Sequence, residues 1–239
     1  KIVLGGSFNR FNGVARAGLV RVNADGSTDS SFIRSAGDYV DYITILADGK
    51  IVIGGVINPP YGFVAMRLNN DGSADTSFQT TPTNDAANHI AVQADGALVV
   101  GGNFTTVGNT DRRNLVRFSA NGALDATFSP ELTTTGQISE LAQQTDGKVV
   151  AVGNFLFANG VRRANAARFH ADGSLDTTFT PVVTPPYQSV QAVAVQTNGK
   201  VLLGGNFTRT LDGQIQFNRM ARLNADGSVD TTFSNAAVT

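Results

Sequence analysis

Apolar residues run along this chain in short, strand-length stretches cut by Asp-Gly and Asn-Gly pairs, with no helical period. Tyr42-Ile43-Thr44-Ile45-Leu46 leads through Ala47-Asp48-Gly49 into Lys50-Ile51-Val52-Ile53-Gly54-Gly55, and the pattern returns at 89–102, 140–153 and 192–205. These runs are apolar on both faces, as strands packed between two sheets are. A second pattern, Arg21-Val22-Asn23-Ala24-Asp25-Gly26-Ser27-Thr28-Asp29-Ser30-Ser31-Phe32, returns at 67–78, 117–128, 168–179 and 222–233. Its turn glycines, Gly26, Gly72, Gly122, Gly173 and Gly227, stand 46, 50, 51 and 54 residues apart. That spacing marks a repeat architecture.

The second pattern predicts a hairpin. Asn-Ala-Asp-Gly fits a type I turn followed by a glycine at positive φ, a three-residue loop. Asn23 then pairs with Ser27, Val22 with Thr28, and Arg21 with Asp29. Every repeat therefore sets an Arg across from an Asp. Five copies of the pair argue for framework, because one active site needs its residues only once.

Each repeat is thus expected to hold four strands: inner, second, third and outer. Two connections are tight turns and two are longer and variable. Four antiparallel strands in a repeat of about fifty residues predict an all-β fold, a β-propeller of about five four-stranded blades. The repeats fall roughly at 1–49, 50–96, 97–147, 148–199 and 200–239, within one domain spanning 1–239. The chain opens on a second strand, and six residues follow Phe233, too few for the missing inner strand. The expectation is a piece of a longer repeat chain linked to further domains.

The motif Asp-Gly-Lys-Ile-Val-Ile-Gly-Gly-x-Phe followed by Ala-Arg-Leu-Asn-Ala-Asp-Gly-Ser-x-Asp-Thr-Thr-Phe resembles the bacterial delta-sixty β-propeller repeat. Its best copies are 200–207 with 222–233, and 148–155 with 168–179. The Gly-Gly that closes the second strand is similar to kelch blades, although the chain has no Trp. The resemblance implies a large bacterial surface or secreted protein, and so an extracellular or cell-surface location. It specifies the repeat and leaves the activity open.

Composition narrows the chemistry. The chain has 239 residues, 41% hydrophobic and 15% charged, at net charge −1. That gives no global attraction to nucleic acid. There is no Cys, hence no disulfide, thiolate nucleophile or thiolate metal site. No run is long and apolar enough for a membrane-spanning helix, so no membrane insertion is expected.

Strand order sorts the loops onto two faces. The tight-turn face carries Asp25, Asp48, Asp71, Asp95, Asp146, Asp172 and Asp226 beside the four lysines, a net of about −3. On the long-loop face, nine arginines meet six acids, a net of about +3. All four tyrosines map there or to its strand entries. Arg and Tyr are enriched at recognition surfaces, and variable loops on a rigid scaffold carry binding. The candidate ligand-binding residues are Tyr39, Tyr61, Arg112, Arg113, Arg162, Arg163 and Tyr187. Against this stands the position of Arg16, Arg113, Arg163 and Arg219 a few residues before a framework Arg, which suits hydrogen bonds to loop carbonyls.

Catalytic signals are thin. Asn23, Asp25, Ser27 and Asp29 alternate as calcium ligands do, but the bidentate Glu is missing and Arg competes for Asp29. A plain hairpin is the better reading, calcium the poorer, and no cofactor is expected. His89 and His170 sit in unlike contexts and build no triad or metal cluster. Glu140, on an inner strand, lacks a framework partner; a glycosidase would need a second carboxyl opposite it. The expected function is a non-enzymatic binding or adhesion module that takes a glycan or a protein ligand on the long-loop face. Its rivals are a structural spacer in a repeat array and a carbohydrate-active enzyme. The differing sequences at 7–12, 57–63 and 107–114 favour binding over a spacer.

Overall fold

The computed structural model describes residues 1–33, 39–57, 62–133, 136–181, 189–211 and 214–233; of these, 57, 62–64, 133, 208–211 and 214–218 are described by backbone alone. Every regular element in them is a β-strand. The protein is an all-β propeller with five blades, matching the five repeats.

Blade 2 orders its inner strand Tyr39–Ile45, second strand Ile51–Ile57 and third strand Gly62–Leu68 in one antiparallel sheet. Blade 3 repeats this with Ala87–Val92, Leu98–Gly102 and Leu115–Phe118, and blade 4 with Ile138–Gln143, Val149–Gly153 and Ala166–Phe169. Blade 5 uses Ser189–Val195, Val201–Leu211 and Gln214–Leu223. Blade 1 contributes a second strand, Ile2–Gly5, paired with a third, Leu19–Val22. In blades 2 to 5 the sheet begins at its inner strand. The roughly fifty-residue divisions of the sequence, such as 49/50, therefore fall inside a blade, at the turn between inner and second strands.

The outer strand is shorter than expected. In each blade it is a single bridge: Val22 to Thr28, Leu68 to Ala74, Phe118 to Leu124, Phe169 to Leu175 and Leu223 to Val229. The predicted hairpin register holds, with Asn23 N–H donating to Ser27 O at 2.9 Å and Asp29 N–H to Arg21 O at 2.9 Å. The ladder stops there because the chain turns at the Asp. Asp29 Oδ1 accepts from Ser31 N–H (3.1 Å) and Ser31 Oγ (2.7 Å), and Phe32 N–H donates to Asp29 O at 3.2 Å. That turn drives Phe32 into the core, where it is 0% exposed.

The Gly-Gly pair has two separate causes. Each inner strand of blades 2 to 5 carries a bulge opposite the second glycine (in blade 4 Val152 stands in the first place), between Val40 and Tyr42, Ala87 and His89, Ile138 and Glu140, and Val190 and Ala192. A Cβ on the second glycine would strike the carbonyl beside the bulge: at Gly102 it would lie 1.9 Å from Ala86 O. The first glycine makes room for the next blade's inner strand. A Cβ on Gly54 would lie 2.9 Å from Ile90 Cδ1, and one on Gly101 2.5 Å from Ile138 Cγ2.

Successive blades share apolar cores. Ile51, Ile53, Leu19 and Phe32 close blades 1 and 2 together, while Val52, Ile90, Leu98 and Phe104 close blades 2 and 3. Val99 with Ile138 and Phe128, then Val150 with Val190 and Phe179, continue the series. Burying each such side chain contributes roughly 1.5–3 kcal/mol. The second strands of blades 2 to 4 are apolar on both faces because each lies between two of these cores.

Candidate functional site

The two tight turns of each repeat lie side by side: a Cβ on Gly96 would lie 3.3 Å from Ala120 Cβ. This face is held by a three-residue ionic motif that the sequence reading only half found. Asp29 Oδ2 accepts from Arg21 Nε at 2.6 Å and from Lys1 Nζ at 2.8 Å. Asp75 is shared in the same way by Arg67 and Lys50, Asp176 by Arg168 and Lys148, and Asp230 by Arg222 and Lys200. The lysines are thus structural partners and not a free surface charge. Blade 3 has Ala97 in place of Lys, and there Arg117 lies 3.6 Å from Asp125 while Nη2 donates to Asp95 at 3.0 Å. Four of the arginines also stack on the outer Phe, as Arg168 does on Phe179 at 4.6 Å.

The ammonium of Lys1, followed by the Ser31 hydroxyl, holds Asp29 well below the usual carboxylate range. Lys50 does the same for Asp75, and Lys200 for Asp230. At Asp176 burial pushes upward, but the Thr178 hydroxyl and backbone N–H, then Lys148, outweigh it. The oxygens that alternate along the turn are committed to the protein itself, with Asp25 Oδ1 accepting from Ser27 N–H (2.9 Å) and Ser27 Oγ (2.7 Å).

The long-loop face is more regular than its sequences imply. In blades 1, 3 and 4 the link from second to third strand folds into one recurring small hairpin. It pairs Arg10–Phe11 with Val14–Ala15, Thr106–Val107 with Thr110–Asp111, and Phe157–Ala158 with Val161–Arg162. Asn12-Gly13 and Asn159-Gly160 make its turns at positive φ, an Asn-Gly signal present in the sequence. In blades 2 and 5 the second and third strands instead run on as one long hairpin. The divergence among the loops is therefore two recurring designs, which weakens it as an argument for binding.

One arginine recurs after each small hairpin. Arg112 Nη1 donates to Asp111 O at 3.1 Å and Nη2 to Ala126 O at 3.3 Å; Arg163 bonds Arg162 O and Thr177 O in the same way. Arg16, in the matching place, bonds Ala15 O. Arg113 does not belong to this set. Its side chain is 60% exposed and lies 3.5 Å from Asp111.

Blade 3's exit segment crosses to blade 4. Leu132–Thr133 pairs with Phe157–Ala158, and Glu131 and Asn159 exchange bonds at 2.7 Å each. Beside this crossing lies a groove of about 840 Å³, walled by Asp111, Arg112 and Arg113 on one side and Ser129, Glu131 and Gln137 on the other. Asn114 braces its floor, donating to Gly102 O at 3.0 Å and Gly136 O at 2.9 Å. Among the described residues no aromatic side chain lines it. Of the candidate residues, the structure brings Arg112 and Arg113 together here. Arg162 is exposed on the neighbouring small hairpin, Arg163 lies behind it, and Tyr39 stands 45% exposed at the start of an inner strand. Tyr61 and Tyr187 lie outside the described residues.

A third cluster joins the inner strands. Tyr42, His89 and Glu140 occupy matching positions in blades 2, 3 and 4, each following the bulge. Tyr42 and His89 rings meet edge-on at 4.7 Å, and His89 Nε2 lies 3.7 Å from Glu140 Oε1. Glu140 Oε2 accepts from Val193 N–H of blade 5 at 2.7 Å. Glu140 thus has a partner after all, a bond from blade to blade. Burial lowers the His89 pKa to about 4 despite the carboxylate nearby, and raises that of Tyr42.

With this geometry in view, the comparisons add a family. The family described as a domain of unknown function (DUF5122) beta-propeller matches residues 1–32, 46–78, 93–128, 144–179 and 196–233, and the chain belongs to it. A search among curated proteins found no match. Among solved structures, a gluconolactonase from Xanthomonas campestris is similar over 78% of this chain and 62% of its own, at 17% identity and TM-score 0.47. A protein of unknown function from Bacteroides caccae is similar over 88% and 72%, at 15% identity and TM-score 0.48. PorZ, a surface component of the type-IX secretion system of Porphyromonas gingivalis, is similar over 78% and 28%, at 7% identity and TM-score 0.48.

Proposed function

We propose that this DUF5122 β-propeller is a non-catalytic binding module of a secreted or surface bacterial protein, with its ligand seated in the groove between blades 3 and 4. The observation that carries the reading is the groove itself. Its walls are polar side chains of mixed charge, mounted on a hairpin and a crossing strand that the fold holds in place. Arg113 and Glu131, both exposed, would meet the ligand; Arg112 would position the wall. A protein segment is favoured over a glycan, because sugar rings commonly need an aromatic platform and none lines the groove among the described residues. Tyr39, Tyr61, Arg162, Arg163 and Tyr187 would take part through neighbouring loops of the same face.

One observation favours a second reading. Asp111 and Glu131 line the same groove, and a carboxylate pair about 5–9.5 Å apart is the apparatus of a glycosidase. A general acid, however, needs a desolvated carboxyl. Asp111 is 71% exposed and faces Arg113, so binding is the better reading.

The test is a screen of the protein against peptide and glycan arrays, with the same ligands assayed for cleavage. Arg113→Ala and Glu131→Gln serve as groove variants and Arg10→Ala, on the small hairpin of blade 1, as the control. Peptide binding lost in both groove variants supports the proposal. Cleavage abolished by Glu131→Gln would establish the enzyme. Absence of both would leave a passive spacer.

A further inference from the structure

Blade 3 breaks the ionic motif of the tight-turn face at one residue. Its turn is otherwise that of blade 4: Ala97 N–H donates to Asp95 Oδ1 at 3.0 Å, as Lys148 N–H does to Asp146 Oδ1 at 3.2 Å. In blade 4 the Lys148 ammonium stands between two carboxylates, 3.4 Å from Asp146 Oδ2 and 3.2 Å from Asp176 Oδ2. Blade 3 keeps both carboxylates, Asp95 and Asp125, and has Ala97 where the lysine stands. In blades 1, 2 and 5 a lysine Nζ also reaches the outer-strand Asp, at 2.7–2.8 Å. An ammonium is thus the group that this carboxylate receives in every blade but the third.

Arg117 is left to serve two carboxylates alone. Its Nη1 keeps the grip on blade 4, donating to Ala171 O at 2.8 Å. In blades 1, 2 and 5 the arginine Nη2 donates to the Ser31, Ser77 or Thr232 hydroxyl; in blade 3 it turns to Asp95 Oδ2 at 3.0 Å. Arg117 Nε then stands 3.6 Å from Asp125 Oδ2, against 2.6–2.9 Å in the other four pairs. It is a buried donor without an acceptor among the described residues, which is a costly state. Asp125 Oδ1 accepts from Thr127 N–H (2.9 Å) and Thr127 Oγ1 (2.6 Å), while Oδ2 receives no hydrogen bond among the described residues. Asp125 is also more open to solvent, 20% exposed against 7% or less for Asp29, Asp75, Asp176 and Asp230. Two carboxylates and one guanidinium leave a single negative charge uncompensated there.

We propose that Asp95 and Asp125 form a binding site for a primary alkylammonium supplied from outside the chain, either a free amine or the lysine side chain of another protein. The ammonium takes the place that Lys148 Nζ holds in blade 4 and donates to Asp95 Oδ2 and Asp125 Oδ2, as charge-assisted hydrogen bonds. Arg117 then returns Nε to Asp125 and Nη2 to the Thr127 hydroxyl, so binding also satisfies the buried donor. A quaternary ammonium does not serve, because it has no N–H to give. Ala97 is itself buried, so the alkyl chain runs outward to solvent and recognition ends at the ammonium. The site lies on the tight-turn face and is independent of the groove between blades 3 and 4.

The test is NMR of the Asp95 and Asp125 carboxyl carbons and of the Arg117 Nε–H during titration with ethylammonium at constant ionic strength, with tetramethylammonium as the comparison. Ethylammonium should shift all three signals, saturating in the millimolar range that an exposed ion pair supports, and tetramethylammonium should shift none. Asp95→Asn, at an exposed position, should weaken binding about threefold to tenfold. Ala97→Lys should abolish it by tethering an ammonium in place. Asp48→Asn, beside Lys50 in blade 2, is the control and should change nothing. Circular dichroism checks folding; if the buried Ala97 does not accept Lys, Asp95→Asn carries the test. The peptide acetyl-Gly-Lys-Gly-amide separates the two sources. Binding at least about tenfold tighter than ethylammonium assigns the ligand to a protein lysine, and equal binding to a free amine. Equal shifts with the two ammonium salts, or binding unchanged in Asp95→Asn, overturn the proposal.

Discussion

Arg168 Nη1 donates to the carbonyl oxygen of Ala225, 2.8 Å away and 57 residues further along the chain. The same guanidinium is bound by Asp176 through Nε at 2.9 Å and stacks on Phe179 at 4.6 Å. One side chain therefore fixes its own hairpin, supports the outer Phe and grips the next blade. That triple duty explains why an Arg stands across from an Asp in every repeat. A Lys could not replace it, because a point charge lacks the planar fork.

The depth of this pair should decide its energy. Arg168 and Asp176 are 7% and 2% exposed, whereas Arg117 and Asp125 are both 20% exposed and 3.6 Å apart. Asp176→Asn should cost about 3–5 kcal/mol, the penalty for stranding a buried charge. Asp125→Asn should cost about 1 kcal/mol or less. Urea denaturation of the two variants measures both, and equal losses would contradict the account.

The second glycine of the Gly-Gly pair should tolerate no side chain. Gly102→Ala sets a Cβ against the Ala86 carbonyl and should cost more than about 3 kcal/mol, since backbone must move. Gly160→Ala sets a Cβ in open space at φ +73° and should cost about 1–2 kcal/mol from conformation alone. Thermal melts of the two proteins give the comparison. A mild Gly102→Ala would mean that the bulge does not set this residue.

His89 should make stability depend on pH in a defined window. Burial lowers its pKa from 6.5 to about 4, so between those values the unfolded chain binds the proton and the folded chain does not. Stability should therefore fall as pH drops from about 6.5 to about 4. His89→Phe keeps the ring against Tyr42 and should flatten that slope. Melting temperature against pH reads this directly; an unchanged slope would remove His89 from the explanation.

Below that window the aspartates take over. The carboxyls of Asp29, Asp75 and Asp230 are held low chiefly by their lysines, so the stability they contribute is present above the ordinary carboxylate range and lost in acid. Lys200→Met should move the Asp230 titration upward and start acid unfolding at a higher pH. Carbon NMR of the Asp230 carboxyl follows the midpoint. A midpoint that stays put would assign the shift to Thr232 and Arg222 instead.

Arg112 and Arg113 are neighbours with different work. Arg112→Ala removes two bonds to carbonyls and should cost about 1–3 kcal/mol. Arg113→Ala, at an exposed position beside Asp111, should leave stability within about 0.5 kcal/mol while weakening ligand binding. Parallel melts and binding curves separate the two.

The sequence by itself determined whatever repeats and whatever is local. Asn-Ala-Asp-Gly set the turn and its register, because a turn's geometry is decided by the φ preferences of adjacent residues. The period near fifty set the blade, and the alternation of hairpins put both tight turns of a blade on one face. Tertiary structure decided the rest, because it depends on side chains meeting across about fifty residues of chain. Only there did the lysines become partners of the outer-strand aspartates, and Glu140 a tie between blades. Loops of dissimilar sequence in blades 1, 3 and 4 proved to be one small hairpin, which the Asn-Gly pairs at 12–13 and 159–160 could have signalled. The groove had no signal at all: it exists because blade 3's exit segment pairs with blade 4's hairpin, a contact that no local pattern encodes.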